Sequence, residues 1–380
     1  MQAGFPYGWP VSPTSGPRWA VAAALLFMAL AGCTQTPSAV PEATASVPPT
    51  PESPAATSPE TPSPTPSASP VPRSDLTGKP LAAPRPVLVV KYDNTRNAQP
   101  HAGLDRADIV YLEEVEYGIT RIAAVFSSDV PTRIGPVRSA RITDIDLLAQ
   151  FGSPAFSFSG VQRKMWPAID ASPLIDVSPN KSADSYARDR SRRAPYNYFL
   201  DGNAVLQKAS DASLSQDIGF RFDSEVPASG APVRKARVEW SYASADFTYQ
   251  PGSNTYAVDL NGIPAISEAS GLQQQANTVV IQYVKQTPSK YFDKGGGNTP
   301  HAETIGSGTA LVLRDGLAFE VTWTREAAED GTHFTRADGS EMTFAPGQTW
   351  VVLMDEDRPA TVRPKSALNS ASSTEQVSTP

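Results

Sequence analysis

The 380-residue sequence has a single cysteine, Cys33, and only three histidines, His101, His301 and His333. One thiol excludes an internal disulfide and a multi-thiolate metal cage. The histidines are far apart and form no H-E-x-x-H pair, so no metal site is expected. Gly306-Ser307-Gly308 lacks the lysine and the strand-then-helix setting of a phosphate loop, and no G-x-S-x-G nucleophile elbow occurs. No cofactor is implied. Excess positive charge is also lacking. The net charge is −7, which argues against non-specific nucleic-acid binding, since that needs a basic face. The apolar run at residues 19–33 falls short of the roughly 20 residues that span a bilayer.

What that run does suit is the core of a secretory signal. Arg18 precedes it, and it ends in Leu30-Ala31-Gly32-Cys33. Small residues before a cysteine resemble the lipobox of bacterial lipoproteins. That resemblance implies cleavage before Cys33, lipid on its sulfur, and an extracytoplasmic chain held on the outer face of the cytoplasmic membrane. Residues 1–32 are therefore expected to be a signal peptide. Residues 33–80 follow as the lipidated cysteine and a disordered tether. Twelve prolines interleaved with Ser, Thr and Ala between positions 34 and 72 cannot build a core and favour extended conformations.

The expected fold is mixed α+β: an N-terminal α/β domain at 81–228, then a β-rich domain at 229–365 and a disordered tail at 366–380. In the first half, "PVLVVKY" (86–92), "DIVYLEEVE" (108–116) and "ITRIAAVF" (119–126) read as strands. "ITDIDLLAQF" (142–151) and "NAVLQKASDA" (203–212) read as helices, the latter capped by Asp201 or Asn203. In the second half helical periodicity nearly vanishes. Short β-branched and aromatic runs alternate with Pro251-Gly252, Asn261-Gly262, Asp315-Gly316 and Asp338-Gly339, as hairpins require.

Cations gather in two places. "RIGPVRSAR" (133–141) carries Arg133, Arg138 and Arg141 between a strand and a helix. A guanidinium fork suits carboxylate or phosphate, and the same forks suit internal pairs with Asp144, Asp146 or Glu113–Glu116. "YARDRSRRAPYNYF" (186–199) interleaves Arg188, Arg190, Arg192 and Arg193 with tyrosines. His301 sits in "GGGNTPHAET" (295–304), read as a glycine-rich loop and hence a site candidate, while His333 is read as a turn residue.

Together, "HAGLDRADIVYLEEVEYGITR" (101–121), "RIGPVRSAR", "SRRAPYNYFLD" (191–201) and "PGQTWVVL" (346–353) resemble the YerB family of bacterial lipoproteins, which consists of two adjoining domains of unknown function. The resemblance brings no established reaction. It puts Tyr196 where members tend to have His, and His101 where they often have Gln, which takes both away from any shared chemistry. The resulting expectation is a polar cleft of Arg121, Arg138, Ser139, Arg141, Arg193, Asn197 and His301. It would bind a cell-wall glycan, another anionic polymer or a protein partner. Two alternatives stand beside it: an envelope hydrolase or transferase using His301, and an adaptor whose arginines pair internally.

Overall fold

The structure is a computed structural model and describes residues 71–364. The signal segment, Cys33, most of the tether and the tail lie outside the described residues. The chain already packs at Leu76, which is fully buried between Ser74 and Thr77, so part of the stretch 33–80 expected to be a disordered tether is packed.

The first half supplies β1 (Leu88–Asp93), β2 (Ile109–Glu114), β3 (Thr120–Phe126), helix α1 (Thr143–Ala149), β4 (Ala155–Ser157), β5 (Ile175–Asp176) and helix α2 (Gly202–Gln207). The second half supplies β6 (Ala231–Glu239), β7 (Ser244–Gln250), β8 (Thr255–Leu260), β9 (Thr278–Val284), β10 (Gln286–Phe292), β11 (Asn298–Ala302), β12 (Gly306–Arg314), β13 (Leu317–Arg325) and β14 (Thr349–Asp355). Most of the long strands overlap runs read from sequence, but β10 was not expected as a strand and β6 begins ahead of its expected run at 236. Both helices are shorter than their patterns. Asp201 is the cap of α2, its Oδ1 accepting from Asn203 N and Ala204 N.

One sheet carries both halves, in the order β8-β7-β6-β13-β12-β9-β14-β2-β3-β1-β4-β5, with short strands at its margins. β14 lies parallel to β9 on one side and to β2 on the other, so the last long strand among the described residues joins the two halves. β1 and β2 pair antiparallel with β3, and β4 and β5 continue in parallel. Every residue of β1 and β3 is buried, as expected of strands covered on both faces.

Alternation along the strands divides the core in two. On one face, Val90, Leu112, Ile122 and Trp350 pack with Phe247 of β7 and Val205 of α2. The Phe247 and Trp350 rings meet edge-on at 6.0 Å. On the other face, Val89, Tyr111, Val125 and Leu353 pack with Leu147 and Leu148 of α1.

Candidate functional site

The second face ends in a polar row. Residues 87, 89 and 91 of the first strand region point one way, and so do 109, 111 and 113 of β2 and 125, 123 and 121 of β3. Register pairs Asp93 with Arg121 and Glu113 with Arg121. Asp93, Arg121 and Glu113 thus lie across three adjacent strands, with Lys91 one step below. All four are buried. Such groups are tolerated only when paired.

Segment 133–141 closes over this row. Arg138 N donates to Lys91 O at 2.8 Å, which lays the segment along β1. Arg138 Nε then donates to Asp93 Oδ2 at 2.7 Å. Arg121 Nη1 donates to Ser139 O at 2.6 Å, so Ser139 contributes its backbone. Arg141 Nη2 donates to Glu116 Oε2 at 2.7 Å, and the Arg141 backbone N to Asp144 Oδ2 at 2.6 Å. Lys91 Nζ sits between Glu113 and Asp144 Oδ1, the latter at 2.8 Å, with all three side chains excluded from solvent.

Four cations (Lys91, Arg121, Arg138 and Arg141) face four carboxylates (Asp93, Glu113, Glu116 and Asp144). The row is internally neutral. Burial pushes the Asp93 carboxyl up, but Thr95 and the Arg138 guanidinium outweigh it and hold it below the usual range. Burial also pushes Glu116 up, and Arg141 and Thr299 bring it down past its ordinary value. Arg121 is pulled down to about 9 by burial and by Arg141 and Arg138, so it stays charged at neutral pH. Glu113 is pushed up by burial and by Asp144, against Lys91. Arg121 has no ion pair of its own; it donates to Ser139 O and feels the Glu116 and Asp93 charges.

The β10–β11 hairpin covers the outer end of the row. Thr299 hydrogen-bonds Glu116, and Ala302 N donates to Thr143 Oγ1 at 3.1 Å. His301 Nε2 lies 2.9 Å from Asp146 Oδ2, and both are partly exposed. His301 is therefore on a strand and not in the glycine-rich loop expected from sequence; Gly295–Gly297 form the turn before it. His333 likewise opens a short strand, His333–Arg336.

Arg121, Arg138, Ser139, Arg141 and His301 thus gather in one region, while Arg193 and Asn197 lie in another. Asn197 is buried and accepts from Arg188 Nη1 at 3.0 Å. Arg192 is tied to Ala98 O and Pro100 O at 2.6 and 3.0 Å. Arg133 pairs with Asp189 and Glu268, both at 2.6 Å, across the Phe199 ring. Arg193 differs. It is exposed, makes no ion pair among the described residues, and borders a hollow of about 490 Å3 with Asn97, Gln99, Arg192 and Tyr196. Sequence reading missed Lys91 and Asp93. The available signal was a lysine inside an otherwise apolar buried strand.

The shared sheet and the buried ion row belong to a strand-rich chain whose helices are few and short. Residues 76–215 match "Protein of unknown function (DUF3048) N-terminal domain", and residues 236–351 match its C-terminal domain. The chain belongs to this two-domain family of unknown function. It is 24% identical over 283 residues to "Putative lipoprotein YerB" of Bacillus subtilis, covering 72% of this chain and 82% of that protein. The crystal structure of YerB from Bacillus subtilis superposes with a TM-score of 0.66 at 20% identity, covering 77% of this chain and 99% of that one. That likeness concerns the fold. Among the described residues, no helix is long and apolar enough to cross a membrane.

Proposed function

We propose that the protein is an extracytoplasmic lipoprotein, anchored through lipid on Cys33, whose folded part holds an anionic or glycan ligand of the envelope. The relative's printed name and the Leu30-Ala31-Gly32-Cys33 signal support the anchor. The ligand reading rests on one observation: Arg193 is a guanidinium without an internal partner among the described residues, set beside amides and a tyrosine at the rim of a hollow. The arginines of RIGPVRSAR serve the fold in this reading, because their charge is already matched.

Two experiments test it. Cys33→Ser should move the protein from the membrane to the soluble fraction. In pull-downs on purified wall polymers, Arg193→Ala should lose retention while remaining folded; unchanged retention would end the ligand reading. The 2.9 Å His301–Asp146 pair favours a second reading, acid–base catalysis on an envelope polymer. It requires that the protein release soluble fragments from purified wall and that His301→Ala abolish the release. No release by the unaltered protein eliminates it.

A further inference from the structure

β1 is buried at every position, and Lys91 is one of them. The Lys91 and Asp144 side chains are 0% exposed and Glu113 is 1% exposed. Lys91 Nζ touches Glu113 Oε1 and lies 2.8 Å from Asp144 Oδ1. β3 runs between β1 and β2, and the β3 residue opposite Lys91 is Ala123. A single methyl there leaves the lysine stem room to cross β3 toward Glu113. Asp144 comes from the first turn of α1, with Oδ2 accepting from the Arg141 backbone N at 2.6 Å. Glu113 Oε2 is buried with no hydrogen-bond partner. The rest of this face is apolar core, with Val89, Tyr111, Leu147 and Leu148.

Taking ions out of water costs more than pairing them usually returns. The same three groups are what condensation of an amine with a carboxyl requires. There is an amine, a carboxyl against it, a second carboxyl to carry protons, and no bulk water to reverse the reaction. Well-oriented groups held at contact behave as though present at roughly 10⁵ M or more. The product is a neutral amide in the same place, its carbonyl on Arg141 N and its N–H on Glu113.

We propose that Lys91 and Asp144 join through an amide bond that the protein makes on its own, with Glu113 as the proton carrier. The Nζ lone pair bonds to Asp144 Cγ, and the Cγ–Oδ1 bond breaks. Oδ2 keeps the Arg141 N–H throughout, so the negative charge that builds on it during addition is held. Two of the three Nζ protons pass by way of Glu113 to Oδ1, which leaves as water, and Glu113 ends as it began. No oxidant, nucleotide or metal is consumed. Burial and Asp144 push Glu113 above the usual carboxylate range, which suits a group that must both take and give a proton near neutral pH. One positive and one negative charge vanish together, so the row keeps its balance. The link closes residues 91–144 into a covalent loop that holds β2, β3 and RIGPVRSAR. No cysteine lies among the described residues, and this bond supplies the constraint a disulfide would. The proposal stands apart from the reading of Arg193.

The test is peptide mapping of the full chain, made in a reconstituted translation mixture so that no other enzyme acts on it. The purified protein is denatured, cut with trypsin and read by mass spectrometry. Trypsin passes over Lys79 and Arg85, which precede prolines, so an unlinked chain yields free peptides 74–91 and 142–163. In the linked chain Lys91 resists cutting. A branched species should then join 74–96 to 142–163, lighter by one water than the two peptides together. Asp144→Ala should give no branch. Glu113→Gln keeps the size of the side chain and removes the proton carrier, so it should lose the branch while circular dichroism shows it folded. Free 74–91 and 142–163 with no branched species from the unaltered chain overturn the proposal, whatever the variants do. A branch to 107–121, which carries Glu113, overturns the choice of Asp144. A full yield of branch in folded Glu113→Gln overturns the role given to Glu113.

Discussion

His101 sets a testable link between pH and stability. Its ring is 1% exposed, with Nε2 2.8 Å from Asp93 O, while Nδ1 is buried without a partner. Burial, aided by the nearby Arg192 charge, lowers its pKa from 6.5 to about 4, and Asp93 only partly opposes this. The folded protein therefore refuses a proton that the unfolded chain accepts. The contribution is intact above pH 6.5, is lost as pH falls toward 4, and totals about 3 kcal/mol at 1.36 kcal/mol per pH unit. His101→Gln keeps an N–H for Asp93 O and removes the titration. Denaturant unfolding at a series of pH values should show the unaltered protein losing about 3 kcal/mol relative to His101→Gln between pH 6.5 and 4. The His101 ring signal should titrate near pH 4. Parallel stability curves for the two proteins, or a His101 pKa near 6.5, would refute the reasoning. The effect should register between the halves of the sheet, because His101 O accepts from Glu268 N at 2.9 Å.

Lys91→Met should cost about 3–5 kcal/mol in chemical denaturation, because it leaves the Glu113 and Asp144 carboxylates buried without their cation. Asp201→Ala should cost about 1 kcal/mol by the same measurement, as α2 loses the oxygen that caps Asn203 N and Ala204 N. Gly118→Ala should both destabilise the protein and displace the 240–243 hairpin tip. Gly118 has φ +68°, and a Cβ there would stand 2.7 Å from Ser241 Cβ. Hydrogen exchange at Tyr242 N–H, which bonds Gly118 O, should accelerate in that variant.

Local chemistry made many of the strands legible. β8 and β14 match their expected spans within a residue at each end, because their residues are β-branched or aromatic and turn residues flank them. β11 was not legible: Asn298-Thr299-Pro300-His301-Ala302 has little strand preference, and its pairing with β10 comes from tertiary setting. The neighbours of β14 were not legible either, since β2 lies more than two hundred residues upstream and no local pattern encodes that pairing. For the site, sequence reading weighed acidic partners for Arg141 that include the observed Glu116. It could not show that Arg138 would meet Asp93 or that Arg193 would be left over. Which charges cancel depends on cross-strand register, and register becomes visible only once the sheet is assembled.

The position of β14 carries a consequence for how the chain comes together. A polypeptide that arrives N-terminus first has β2 and β9 in hand with a vacant lane between them, and Trp350 and Leu353 are still to come. The order of delivery and the order of closure are thus opposed. Neither half can seal its core until residues 349–355 have entered, so the first half waits on a strand delivered after all of β9 to β13.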